Sequence, residues 1–206
     1  MNKNLLILGA GQYGTVVREV AESAGGFDKI SFLDDTFGLS EFEGDYHEQS
    51  IGKLGQYKEL RLEYDYAFVS IGEPEFRMEW TKKLIEVGFV IPVLVSPRAY
   101  VSLTAQLSKG VVVEPMAVVN AGSHIGEGSL VTAGAIINHN AFVSDYCDIQ
   151  CGAVVMPGAL VPNFTVTQPN EVIRRAPMAF SLENRGSELV IQGKPLEMTT
   201  DGNVEG

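Results

Sequence analysis

The sequence predicts a two-part fold: an α/β domain of Rossmann-like type, followed by an all-β parallel solenoid of about four coils. Three observations carry this. The chain opens as strand, glycine turn and helix around GAGQYG; strand and helix patterns then alternate to residue 95; and from Val101 to Ile173 every sixth residue is aliphatic, with Thr167 the one lapse.

Taken in order, Asn4 to Leu8 is a short apolar run that ends at Gly9, and Gly9, Gly11 and Gly14 have the G-x-G-x-x-G spacing. Thr15 to Ala24 reads as a helix with Val16, Val17, Val20 and Ala21 on one face, closed by Gly25 and Gly26. In that order the glycines let the backbone, with Gln12 and Tyr13 between them, approach a diphosphate at the positive helix N-terminus. Lys29 to Leu33 is the second strand, with Asp34 and Asp35 at its end. An acidic residue there bonds a ribose hydroxyl in dinucleotide-binding domains, the other reading being a solvated turn carboxylate.

Residues 36 to 55 are polar and glycine-rich, which predicts a loop with one short strand near Ile51 and places His47 on the surface. Gln56 to Leu62 reads as a short helix, Asp65 to Ile71 as a buried strand, Glu75 to Val87 as an amphipathic helix stopped by Gly88, and Phe89 to Val95 as a strand broken by Pro92. Ser70 and Gly72 fall at a carboxyl strand end, where such sheets bind ligands.

The solenoid follows from side-chain alternation in short strands. The sixfold aliphatic column and the small residues four positions after each member point inward. The Gly/Asn column, three positions after, is the corner, because these residues adopt the left-handed backbone a sharp turn requires. The outward column divides into Gln106, His124, Phe142 and Leu160; Val112, Leu130, Asp148 and Val166; and Val118, Ile136, Val154 and Val172. Only the third stripe is aliphatic throughout, which marks a contact surface that three-fold closure would bury. Ser96-Pro97 is the hand-over, giving an α/β domain over 1–95, a solenoid over 96–175 and a tail over 176–206, read as a hairpin capping the last coil and a disordered polar end.

A net charge of −11 and a pI near 4.7 oppose attraction to nucleic acid or anionic membranes. No apolar run approaches spanning length and the N-terminus enters a strand directly, so a cytoplasmic protein without membrane insertion is expected. Cys147 and Cys151 have no paired metal-ligand spacing, and no metal site is read.

GAGQYG with FLDD and VSIG, followed by an uninterrupted hexapeptide array containing INHN, resembles the sugar acyltransferases of the NeuD/PglD type over roughly residues 3 to 175. The resemblance implies a left-handed parallel β-helix, a homotrimer, and acetyl transfer from acetyl-CoA to an amine or hydroxyl of a nucleotide-linked sugar in surface-glycan biosynthesis. It also implies that the N-terminal domain binds the nucleotide sugar, with Gly11, Gln12, Tyr13, Asp34, Asp35 and Gly72 at matching positions. His139 then stands as general base at a coil corner beside a neighbouring subunit, its ring oriented by Asn138, a backbone carbonyl or Asp145. The chain departs from that pattern in three ways. Asn138 and Asn140 replace carboxylates flanking the histidine, Asp148 replaces a second histidine that contacts the acyl donor, and the array reads as short of the glycine-rich coils that hold the coenzyme. Two other readings remain: a nucleotide-sugar-binding trimeric scaffold without catalysis, and an NAD-dependent oxidoreductase using GAGQYG and Asp34.

Overall fold

The computed structural model describes residues 3–38, 50–175, 178–185 and 188–195, the last two by backbone alone. His47 lies outside the described residues. Strands β1 (Asn4–Leu8), β2 (Lys29–Leu33) and β3 (Tyr66–Val69) form a parallel sheet in the order β2-β1-β3. The central run is continuously apolar because both its faces are covered. Leu5 and Ile7 pack with Val17, Val20 and Ala21 of helix α1 (Gln12–Ala24). Leu6 and Leu8 pack with Tyr57 and with Leu84 of helix α2 (Pro74–Val87). Helix α2 stops where expected: Gly88 takes a left-handed φ of 94° and returns its N–H to Leu84 and Ile85.

Three local expectations are corrected. The strand near Ile51 shrinks to a single bridge between Ser50 and Phe32, and the helix over Gln56–Leu62 is a 3₁₀ segment, Leu54–Leu62. The run Phe89–Val95 is divided: Val90 bridges Tyr66 of the sheet, whereas Leu94–Val95 (β4) pairs with the solenoid. Pro92 is where it divides. Its ring nitrogen has no hydrogen to donate, and its carbonyl accepts from Gly110 N–H, a coil corner.

Thirteen two-residue strands, β4 to β16, wind into a left-handed parallel β-helix with three stacked sheets. The first sheet holds β4, β7 (Val112–Val113), β10 (Leu130–Val131) and β13 (Asp148–Ile149). The second holds β5 (Tyr100–Val101), β8 (Val118–Val119), β11 (Ile136–Ile137), β14 (Val154–Val155) and β16 (Val172–Ile173). The third holds β6 (Gln106–Leu107), β9 (His124–Ile125), β12 (Phe142–Val143) and β15 (Leu160–Val161). Val113, Val119, Ile125, Val131, Ile137 and Val143 are fully buried along the axis with Ala117, Ala135 and Ala141 between them.

Positive φ recurs every six residues from Gly110 to Asn170, but the column is not all Gly and Asn: Met116, Tyr146 and Phe164 also adopt it. Left-handed backbone costs such residues roughly 1–2 kcal/mol each. At two of them aromatic packing offsets it. The Tyr146 ring fills the space over Gly128, where a Cβ would lie 2.3 Å from it, and Phe164 stacks on Tyr146 at 6.1 Å.

The three outward faces have different fates. On the first sheet Val112 and Leu130 are buried against Leu5, Ile7 and Phe32, so the α/β domain sits on this face. On the third, His124 stacks on Phe142 at 4.5 Å while Phe142 and Leu160 stay exposed. On the second, Val118, Ile136 and Val154 are half-buried and Val172 is exposed, leaving the aliphatic stripe uncovered within the chain's first compact unit, Met1–Ile173. The second unit contains an antiparallel hairpin, β17 (Met178–Arg185) with β18 (Glu188–Pro195). Among the described residues no helix is long and apolar enough to cross a membrane.

Candidate functional site

Because β1, β2 and β3 are parallel, the loops after Leu8, Leu33 and Val69 emerge at one edge of the sheet. Two of the glycines there are required by the fold. A Cβ on Gly14 would meet the Gly9 carbonyl oxygen at 2.3 Å, and Gly9, at φ 103°, has Ile71 and Ser70 side chains 3.0 Å from its Cβ position. Gly11 and Gly72 are not so constrained, since nothing lies within 4 Å of a Cβ on either and neither has positive φ. Absence of a side chain at both keeps an open surface beside the first turn of α1. That turn has no side-chain cap and no acidic residue, so its positive end is uncompensated and suits a phosphate. Gln12 opens the helix and is exposed.

The two aspartates have separate roles. Asp34 Oδ2 accepts the Ala10 N–H at 2.7 Å and Oδ1 accepts from Thr36 N–H and hydroxyl, so this carboxylate pins the glycine turn to the end of β2. Asp35 is exposed, and among the described residues its Oδ1 accepts Leu54 N–H at 3.1 Å. Asp35 is therefore the carboxylate better placed for a ribose or base, and Asp34 the brace. Ser70 is also a brace: buried, it donates to the carbonyls of Leu8 and Gly9.

Tyr13 points away from this edge. Its hydroxyl is buried at the contact with the β-helix, where burial first and the Glu114 carboxylate second push the phenol well above its usual range. Burial likewise raises Glu114, although Ala133 N–H donates to its Oε2 at 3.0 Å, and it raises Asp148, opposed by the Arg77 guanidinium. Asp148 is thus buried on the face that carries the α/β domain, within electrostatic reach of Arg77. Glu114 and the inward turn of Tyr13 carry no sequence signal; Arg77 shares a helix face with Thr81 and Leu84, but that a charged residue there is buried emerges only when the two parts dock.

His139 is exposed at the corner joining the second and third sheets. Its Nδ1 lies 3.3 Å from the side-chain nitrogen of Asn140, which has the left-handed φ of 56°. Asn138 turns away, its amide donating to Val155 O at 3.1 Å, and Asp145 sits at the following corner with Oδ1 accepting Glu127 N–H. Within one chain the ring is met by Asn140 rather than by Asn138 or Asp145. The α/β domain packs on the first sheet, and His139 occupies the corner opposite that face, so one chain does not bring the glycine edge and His139 together.

Comparison with known proteins adds to this. Residues 4–84 match the PglD N-terminal domain model. No curated protein matches. The acetyltransferase domain of PglB from Neisseria gonorrhoeae FA1090 is similar in two solved structures. In complex with acetyl coenzyme A it is 28% identical with a TM-score of 0.68, covering 84% of this chain and 85% of that one. Without it the values are 27% and 0.71, covering 93% of this chain and 100% of that one. PerB from Caulobacter crescentus, solved with CoA and GDP-perosamine, shares the fold at 23% identity and a TM-score of 0.70, covering 92% of this chain and 97% of that one. The matches cover 85% to 100% of these relatives' chains, and the thirteen strands of the array make the expected coils, about four.

Proposed function

We propose that this chain, a protein of the NeuD/PglD type, transfers an acetyl group from acetyl-CoA to an amine or hydroxyl of a nucleotide-linked sugar in the cytoplasm, as a homotrimer. The observation that carries the reading is the pairing of an open, side-chain-free phosphate edge at Gly11 and Gly72 with an exposed corner histidine on a β-helix like that of a relative holding acetyl coenzyme A. The nucleotide's diphosphate lies at the start of α1, with Gly9, Gly11, Gln12 and Gly14 forming the turn and Asp35 reaching the ribose or base. Asp34 and Ser70 hold that edge in shape.

In the transfer step the acceptor's lone pair attacks the thioester carbonyl, the carbon–sulfur bond breaks, and the acceptor's proton passes to His139 and on to the leaving thiolate. A neutral imidazole is suited to this near pH 7. For Nε2 to act as base the ring proton sits on Nδ1, which places the oxygen of the Asn140 amide, rather than its nitrogen, at the 3.3 Å contact. An amide accepts this proton less strongly than a carboxylate, so activation of the ring is weaker here.

The aliphatic stripe of the second sheet supports the trimer. That sheet lies between the corner holding His139 and the corner bordering the domain-bearing face. Three-fold closure through it sets His139 of one copy beside the next copy's α/β domain, the pairing that a single chain lacks. Calorimetric titration separates the readings. Binding of both CoA and a nucleoside diphosphate supports the enzyme, binding of the nucleotide alone indicates a scaffold, and binding of NAD(H) in place of both indicates an oxidoreductase.

A further inference from the structure

Among the described residues Arg77 is the one buried cation, 1% exposed and the bulkiest of the fully buried side chains. A guanidinium removed from water has to satisfy its donors internally. Here Nε donates to Gly128 O at 2.9 Å, Nη1 donates at 3.0 Å to both Ile71 O and Gly72 O, and Nη2 faces Tyr146 O at 3.5 Å. The acceptors belong to two structures. Ile71 and Gly72 form the loop after β3, at the edge built from the glycine turn. Gly128 and Tyr146 are stacked corners of the β-helix, with the Tyr146 ring seated over Gly128. The Asp148 carboxylate, buried on the same β-helix face, favours the charged guanidinium electrostatically against the burial that opposes it.

Toward the glycine turn the loop is braced by the Ser70 hydroxyl and by packing of Ile71, and Arg77 is the side chain that ties it to the β-helix. Gly72 opens on free space, and the Ile71 side chain lies 3.0 Å from the Cβ position of Gly9, so a displaced Ile71 moves directly against the glycine turn. We propose that Arg77 is a positioning residue of the nucleotide site. By tying the Ile71 and Gly72 carbonyls to the β-helix corners, it fixes the edge on which the nucleotide rests and makes nucleotide binding and the β-helix one mechanical unit. This inference rests on the Gly11–Gly72 edge being the nucleotide site. Lysine cannot substitute, because one ammonium lacks the planar fork that reaches carbonyls on both sides at once.

The test is titration of wild type and Arg77→Lys with UDP, GDP and acetyl-CoA, well below the melting temperature of either protein. The expected result is a nucleoside diphosphate affinity lowered about tenfold or more in the variant, with acetyl-CoA affinity within about twofold, a split that a general loss of stability does not produce. A folded Arg77→Lys that binds nucleotide like wild type overturns the inference alone. Absence of nucleotide binding by wild type overturns the site reading and this inference with it. Hydrogen exchange on wild type decides the matter independently if the variant does not fold. Bound nucleotide should slow exchange at residues 71–77 and also at the β-helix corners 126–129 and 144–147, and protection that stops at the glycine turn refutes the coupling.

Discussion

Alanine at Gly14 and alanine at Gly11 should have opposite consequences, although both glycines belong to one turn. At Gly14 the new methyl would lie 2.3 Å from the Gly9 carbonyl oxygen and 3.2 Å from its carbon, against an ordinary contact limit of 3.4 Å, with the Phe32 ring already at that limit on another side. Relief requires α1 to move by about 1 Å off β1. Overpacking against backbone costs about 1–3 kcal/mol, the upper part applying where both obstructing atoms are main chain. The stiffer unfolded chain returns about 0.4–1 kcal/mol, which leaves a net loss near 2 kcal/mol and a fall in Tm of about 4–8 °C for a chain this size. At Gly11 the methyl meets nothing and φ is −72°, so its small cost as N-cap and the unfolded-chain term offset each other to within about 0.5 kcal/mol. That methyl stands where a phosphate would lie, and nucleotide affinity should fall about tenfold or more, equivalent to about 1.4 kcal/mol. Thermal melts and calorimetric titration of both variants make the comparison. Gly11→Ala binding nucleotide as wild type does refutes the cradle, and Gly14→Ala melting with wild type refutes the packing argument.

Three further outcomes are expected. His139→Ala should leave oligomeric state and nucleotide affinity unchanged while lowering acetyl transfer about 10²-fold or more, read from the rate of CoA release; transfer at the wild-type rate removes the base assignment. Ile136→Glu, in the middle of the half-buried aliphatic stripe, should give monomers by light scattering and, if the site is shared between copies, little transfer; an intact trimer means the stripe is not the interface. Stability should also vary with pH through the buried contact. Glu114 and Asp148 are raised above their ordinary values, so the folded state holds their protons more tightly than the unfolded chain. The associated stability is complete below about pH 4 and is lost as pH rises through the raised pKa values. Denaturant titrations from pH 4 upward should show that decline in wild type and a flatter profile in the Glu114→Gln, Asp148→Asn double variant.

The β-helix was legible in the sequence because its repeat is a local rule. Sixfold spacing fixes which residues turn inward, and the structure buries them where the spacing predicts. The second sheet's stripe and the His124–Phe142 stack are equally local, since residues eighteen apart are neighbours in the next coil. The corner column shows the limit of composition: Tyr146 and Phe164 adopt left-handed backbone through packing on the coils beside them, which no propensity encodes. In the α/β domain the glycine motif pointed to the edge that carries the proposed nucleotide site. The division of labour between Asp34 and Asp35, and between the glycines that the fold requires and those it leaves open, depends on distances across three loops. The turn of Tyr13 toward Glu114 and the burial of Arg77 were illegible because they follow from docking of two parts that each look complete in sequence.

The most direct measurement of the central claim is acetyl transfer itself. Purified protein, acetyl-CoA and a set of nucleotide-linked amino sugars, GDP-perosamine and UDP-linked analogues among them, would be followed by thiol release and by mass spectrometry of the acceptor. The account predicts CoA release that depends on one class of acceptor, matched mole for mole by a product heavier by one acetyl group. Protein that binds both nucleotide sugar and CoA yet releases no thiol and yields no acetylated sugar with any acceptor would contradict it.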